Sequence, residues 1–193
     1  MLPLEKRIRN KKDLSAFLAA DLRYYEKVKR IVYFLQCGEA AILMRHQVLL
    51  RKTEYYVNTN RRIRALLYRF KLLKFQDKYA IHIPINCCGK GLRLMHVGPR
   101  LINGTACIGE NCVFHINTAV VAGGTSNDAP VLGDSVLLGV GAVVLGGVTI
   151  ADSVAIGANA VVNKDILEPD IAVGGVPARK ISNNGATAWG NNK

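Results

Sequence analysis

The sequence predicts a mainly β fold: a left-handed parallel β-helix of hexapeptide repeats, preceded by an α-helical N-terminal region. Three observations carry the prediction. The apolar residues beyond position 100 recur every six residues, the composition is rich in Gly (18 residues) and poor in aromatics (7%), and charge and composition change together near residue 80.

The period of six is the strongest of the three. Stepping from Ile102 gives Ile102, Ile108, Phe114 and Val120, then, after one interruption, Leu132, Leu138, Val144, Ile150, Ile156 and Val162, with Ser126 the exception. Four residues after these positions stand small or β-branched residues: Ala106, Cys112, Thr118, Val136, Ala142, Val148, Val154 and Ala160. An α-helix turns every 3.6 residues and cannot hold a period of six on one face. A generic Gly/Val-rich antiparallel sheet alternates every two residues and imposes no six-fold phase. A triangular coil of three short strands, one hexapeptide each, holds it naturally. Gly or Asn one residue after the apolar position (Asn103, Gly109, Gly133, Gly139, Gly157, Asn163) is assigned to the corners, where positive φ is tolerated. Residues 121–131, VAGGTSNDAPV, have a loop composition, yet the phase resumes because 120 and 132 are two whole periods apart. This predicts a loop extruded from one corner of a β-helix domain spanning 81–181, with a flexible C-terminal tail over 182–193.

Residues 1–80 hold 19 Lys and Arg against 7 Asp and Glu, whereas 81–193 hold 7 of each, so the whole excess of +12 is N-terminal. Apolar spacing predicts helices there: Leu14, Phe17, Leu18 and Leu22 suit one helical face, and Ile63, Leu66, Leu67, Phe70 and Leu73 another. The second stretch, RRIRALLYRFKLLKFQDK, is basic and amphipathic. It is read first as a charged solvated face packed on the β-helix or a neighbouring subunit, and second as an attraction to an anionic membrane surface or acidic glycan. Nucleic acid ranks below both, because no recognition motif accompanies the charge. No signal-peptide pattern and no run of about 20 apolar residues is visible, which gives a cytoplasmic expectation, with membrane-peripheral contact as its variant. The five cysteines (Cys37, Cys87, Cys88, Cys107, Cys112) are odd in number and lack CxxC spacing, so they are expected to be reduced and structural, with no metal site. His46 is expected at the surface.

The segments GLRLMHVG (91–98), INGTACIGENC (102–112), AGG (122–124), IGANAVVNKDI (156–166) and GGVPARKI (174–181) resemble the serine acetyltransferase family of hexapeptide-repeat transferases, across roughly residues 81–181. The repeats alone bear on fold; the His-containing segment, the Gly-Gly loop and the GVPARK ending are more specific. The resemblance implies O-acetyl transfer from acetyl-CoA without a metal, with His96 as general base. The chemistry is coherent: a thioester carbonyl is already activated, and what an acceptor hydroxyl lacks is a base working near pH 7. The resemblance further implies an oxyanion donor at Gly123 or Gly124, Ala142 and Ala160 at the pantetheine groove, Arg179 and Lys180 near the CoA phosphates, and a homotrimer. Acceptor-binding positions fall on His82, Met95, His115 and Asp128. His115 follows His96 by one coil of three hexapeptides plus a single position, so the two share a cleft only if both side chains face it.

Three departures bear on the acceptor. In the serine enzymes, acidic residues hold the amino group of serine or orient the base; here the corresponding positions are Met95 and His82, and a loop histidine is replaced by Ala129. The turn around Cys87–Gly89 is one residue short. A buried ammonium needs a carboxylate. A carbohydrate hydroxyl is therefore expected ahead of L-serine, in line with family members associated with polysaccharide or capsule loci, which share the short basic N-terminal region and a segment like APVLGD (129–134). L-Serine is the alternative, and a non-catalytic β-helix scaffold a third reading.

Overall fold

The computed structural model describes residues 1–25, 38–124 and 127–189. Cys37, Ser126, the middle of the extruded loop and the last four residues of the tail lie outside the described residues. Helices α1 (Lys11–Leu22), α2 (Glu39–Asn58) and α3 (Arg62–Tyr79) precede the first strand. The strands are β1 (Ile81–His82), β2 (Arg93–Leu94), β3 (Arg100–Ile102), β4 (Cys107–Ile108), β5 (Val113–Phe114), β6 (Thr118–Val121), β7 (Val131–Leu132), β8 (Leu137–Leu138), β9 (Val143–Leu145), β10 (Thr149–Ile150), β11 (Ala155–Ile156), β12 (Val161–Val162), β13 (Ala172–Gly174) and β14 (Arg179–Ser182).

They form the three faces of a left-handed parallel β-helix. One face is β1-β3-β6-β9-β12, the second β4-β7-β10, and the third β2-β5-β8-β11-β13, closed by β14. Every pairing is parallel except β13 with β14, where the chain turns back. The period of six is the core: all ten apolar positions from Ile102 to Val162 are at most 3% exposed. Ala106, Cys112, Val136, Ala142, Val154 and Ala160 fill the remaining space with small side chains. One large and one small inward residue per hexapeptide is what a narrow triangular prism can accommodate at close-packed density.

The corners are made differently from the sequence expectation. Positive φ falls three residues after the apolar position, at Asn111, Asn117, Ser135, Gly141, Ser153 and Asn159. The glycines one residue after it answer a contact: a methyl on Gly109 would lie 2.4 Å from Gly133 O, and one on Gly139 2.8 Å from Ala158 N. They let successive coils stack.

Register measures each coil. Thr118 pairs with Arg100 and Thr149 with Val131, a separation of three hexapeptides, whereas Ala119 pairs with Val143 and Cys107 with Val131, a separation of four. The extruded loop therefore adds the length of one hexapeptide between β6 and β7 without moving the ladder. Arg93 pairs with Val113, which exceeds three hexapeptides, so the corner Met95–Pro99 between β2 and β3 is two residues longer than its equivalent one coil on. Ile81 pairs with Arg100 while Cys88 bridges Ile108, so the segment between β1 and Cys88 is one residue shorter than its equivalent one coil on.

A first coil has no coil before it, and its backbone groups on that side need other partners. Side chains of the helices supply them. Asp21 Oδ1 accepts from Gly91 N (2.7 Å) and Leu92 N (3.0 Å), Gln47 Nε2 donates to Leu92 O (2.7 Å), and Gln76 Nε2 donates to Ile83 O (2.7 Å). Arg51 donates to Cys88 O (2.9 Å) and Gly89 O (2.6 Å), and Glu54 accepts from Asn86 N (2.8 Å). Asp21 and Glu54 flank Arg51 at 2.7 and 3.0 Å, all three side chains buried.

Three expectations are corrected here. His46 is fully buried against Gln76 and Phe75, because α2 is the middle helix and is covered on most sides. The face Ile63, Leu66, Leu67, Phe70, Leu73 points to solvent, and α3 packs instead through Leu72, Phe75 and Gln76. Residues 183–189 are not a free tail: Ala186 is buried, its amide donates to Ser153 O, and it joins Val113, Leu137, Ala155 and Ala172 in a second apolar cluster.

Candidate functional site

The long corner between β2 and β3 carries the site. His96 sits there at φ +66°, a left-handed conformation that costs a non-glycine residue about 1 kcal/mol or more and persists only when neighbours hold it. Two neighbours do. Arg100, 1% exposed, donates through its guanidinium to His96 O (2.7 Å), Gly98 O (3.1 Å) and Phe114 O (3.3 Å), and also to Met95 O. Burial lowers the Arg100 pKa to about 10, so it stays charged at neutral pH, gripping four carbonyls around one corner. From the other side Glu39, the first residue of α2, accepts from Val97 N (2.7 Å) with one oxygen and meets His96 Nδ1 (3.0 Å) with the other.

That last contact fixes the chemistry of the imidazole. A carboxylate only accepts, so Nδ1 carries a proton, and in the neutral ring the lone pair then falls on Nε2; the side chain is 58% exposed. The Glu39 carboxyl is held below its usual range, first by the Val97 amide and then by His96, which keeps it ionised. Sequence reasoning misses Glu39: it lies far from His96 in the chain, on another element, and only the docking of α2 onto the first coil joins them.

Because β2 and β5 pair at a separation two residues beyond three hexapeptides, the register sets His115 over Met95 and not over His96. It still lies close enough to His96 to feel a charge there; burial, then His96, Arg100 and Arg93, push the His115 pKa below its usual value, which favours the neutral ring at pH 7. Met95 packs against the outer apolar cluster around Val113 and Leu137. His82 is exposed on β1, beside Leu101 of β3, and Asp128 lies in the extruded loop against Gly147, where an added methyl would meet its Cβ at 2.7 Å.

Gly123 and Gly124 lie at the start of that loop, Gly123 facing Gly146. The Ala142 and Ala160 side chains are fully buried inside the coil, their amides donate to Gly139 O and Gly157 O, and their carbonyls accept from Ala119 N and Val143 N. Neither methyl lines an outer groove, so any contact of these two residues with a ligand would be through the backbone. Arg179 and Lys180 are exposed on β14, and Lys180 Nζ is paired with Glu168 at 2.5 Å. The Cys87, Cys88, Cys107 and Cys112 thiols are free, and burial raises Cys87 to about 11 and Cys112 to about 12, so these two are inert thiols at neutral pH.

Residues 129–164 match the family described as bacterial transferase hexapeptide (six repeats). The chain is 36% identical over 101 residues to a serine acetyltransferase of Synechococcus elongatus, a match covering 50% of this chain and 40% of that protein, so the chain spans less than half of that relative. A serine acetyltransferase of Brucella abortus in complex with coenzyme A superposes with TM-score 0.66 at 22% identity, over 91% of this chain and 70% of that one. The Neisseria gonorrhoeae serine acetyltransferase in complex with serine superposes at 0.65 with 24% identity, over 88% and 69%. The chain thus carries the hexapeptide repeat of bacterial transferases on a fold it shares with serine acetyltransferases.

Proposed function

We propose that the chain is an acetyl-CoA-dependent O-acetyltransferase with His96 as its general base. The observation that carries this is the Glu39–His96 pair, which directs Nδ1 to the carboxylate and makes Nε2 the basic nitrogen of the neutral ring, on a β-helix similar in fold to a coenzyme A-binding relative. In the step, Nε2 takes the acceptor's hydroxyl proton while the hydroxyl oxygen attacks the thioester carbonyl. The tetrahedral intermediate expels the CoA thiolate, and the imidazolium returns the proton to that sulfur. Glu39 stabilises the imidazolium without giving up or receiving a proton. Donors to the oxyanion are assigned to the loop at Gly123 and Gly124, the CoA phosphates to Arg179 and Lys180, and hydroxyl contact to neutral His115. Assembly is taken as a trimer, with acetyl-CoA in the groove between coils of neighbouring subunits.

L-Serine is the acceptor that the relatives favour, since those named are serine acetyltransferases. They shift the weight away from the carbohydrate expected from sequence. One observation still supports the carbohydrate reading: Met95, His82 and Ala129 bring no carboxylate, and both oxygens of Glu39 are already engaged. A thiol-release assay across L-serine, simple sugars and oligosaccharides separates the two. Serine turnover of order ten per second is expected of an ordinary enzyme acting on its own substrate, whereas turnover confined to sugars restores the carbohydrate acceptor. His96→Ala is expected to lower transfer by roughly two to four orders of magnitude while acetyl-CoA still binds; full activity on every acceptor would remove the proposal.

A further inference from the structure

We infer that the outer face of α3 is a docking surface for an anionic phospholipid bilayer. Five large apolar side chains stand exposed on this one helix: Ile63 (87%), Leu66 (73%), Leu67 (49%), Phe70 (59%) and Leu73 (57%). Their spacing, i, i+3, i+4, i+7 and i+10, places them on a single stripe opposite the packed residues Leu72, Phe75 and Gln76. By the same 3.6-residue turn, Arg62 and Arg69 fall along one flank, and Arg64, Lys71 and Lys78 along the other. None of these five cations is ion-paired among the described residues.

A second feature adjoins the stripe. A cleft of about 500 Å³ between α2 and α3 is lined by Arg45, Lys52, Lys71, Lys74 and Lys78, with no acidic residue in its wall, and Phe70 belongs to both cleft and stripe. Apolar side chains beside a basic cleft match the two layers of a membrane interface: acyl chains take Ile63, Leu66, Leu67 and Phe70, and headgroup phosphates take the lysines. Lys and Arg on the flanks lay their aliphatic stems along the stripe and keep their charges at headgroup level.

Charge selects this occupant over the others. Residues 61–78 carry seven Lys and Arg against Asp77 alone, so a second copy of the face would bring two strongly positive surfaces together. An acidic glycan would satisfy the cations but would leave Ile63, Leu66 and Leu73 against hydroxyls, since aliphatic side chains offer a sugar neither a ring face nor a hydrogen bond. The helix is not a spanning one: no helix among the described residues is long and apolar enough to cross a membrane. The inference stands on α3 and is independent of the acetyl-transfer reading, whose assay it does not use.

The test is flotation of the full chain with vesicles of phosphatidylcholine alone and with phosphatidylglycerol added, alongside light scattering and circular dichroism. Binding is expected only to the anionic vesicles, falling steeply with added salt, as screening within about 8 Å at physiological ionic strength requires. Leu66→Ser with Phe70→Ser, both at exposed positions, and separately Lys71→Glu with Lys74→Glu, are each expected to lower the bound fraction about tenfold or more with an unchanged spectrum. Four results would overturn the inference: no binding to anionic vesicles, equal binding to neutral ones, full binding by the folded variants, or loss of an oligomer by the stripe variant without vesicle binding by the parent chain.

Discussion

At the scale of single residues, the site rests on how Glu39 divides its two oxygens. One holds the backbone of the corner at Val97 and the other holds the ring of His96, so a single carboxylate both shapes the corner and sets which nitrogen is basic. Glu39→Gln keeps the size and a carbonyl acceptor but loses the charge that stabilises imidazolium. It also allows the amide to turn its NH2 toward Nδ1, which would favour the wrong tautomer. The expected outcome is a fall in the single-turnover acetyl-transfer rate of roughly ten- to a thousand-fold, less than for loss of the base itself, with acetyl-CoA affinity unchanged. Equal loss of affinity and rate would instead mean that the corner had collapsed. A substitution at a distant exposed site, for example Asn163→Gln, serves as the control for handling. Nothing near His96 in the chain announces this partner. His96 itself is legible because its neighbours in sequence carry the pattern; Glu39 is not, because it sits on a separate helix that meets the ring only after the fold has formed.

At the scale of elements, the corner between β2 and β3 is longer than its neighbours and is held by one buried guanidinium. Arg100 makes no ion pair among the described residues; its partners are carbonyls, and a planar fork reaches several of them at once. Arg100→Lys keeps the charge and the stem but replaces the fork with a single ammonium. The expected result is a folded protein whose transfer rate falls about tenfold or more with little change in acetyl-CoA affinity, because near-attack geometry is sensitive to displacements of an ångström. An unchanged rate would show that Glu39 alone holds His96. The coils around this corner are legible for a plain reason: an inward residue every six positions is a local pattern repeated ten times. Corner chemistry is less so. Gly109 and Gly139 read as turn glycines, yet their role is stacking clearance, which depends on backbone contributed by the following coil. The apolar stripe of α3 is visible as a pattern but its side is not, because periodicity identifies two faces of a helix and does not say which one the fold covers.

At the scale of the whole molecule, the helices end the β-helix. Asp21, Gln47, Arg51, Glu54 and Gln76 occupy the backbone groups that a preceding coil would have used, so the N-terminal region is a structural cap as well as the source of Glu39. The cap makes stability sensitive to acid through His46. This side chain is fully buried, and burial first, then the charges of Arg100 and Arg51, lower its pKa to about 3 from an ordinary value of 6.5. Above pH 6.5 both folded and unfolded chains hold it neutral, and it contributes no pH dependence. Below 6.5 the unfolded chain takes up a proton that the folded chain refuses until about pH 3, so acidification favours unfolding throughout that window. Between pH 7 and pH 5 the loss amounts to about 2 kcal/mol. His46→Gln removes the titration and retains a side chain able to meet Gln76. Urea unfolding of the two proteins at pH 7 and pH 5 is expected to show a loss on acidification that is smaller in the variant by about 2 kcal/mol. Because the comparison is a difference between two proteins carrying the same remaining carboxylates and histidines, their titrations cancel. Equal losses in the two proteins would place His46 in contact with water and remove it from the buried cap.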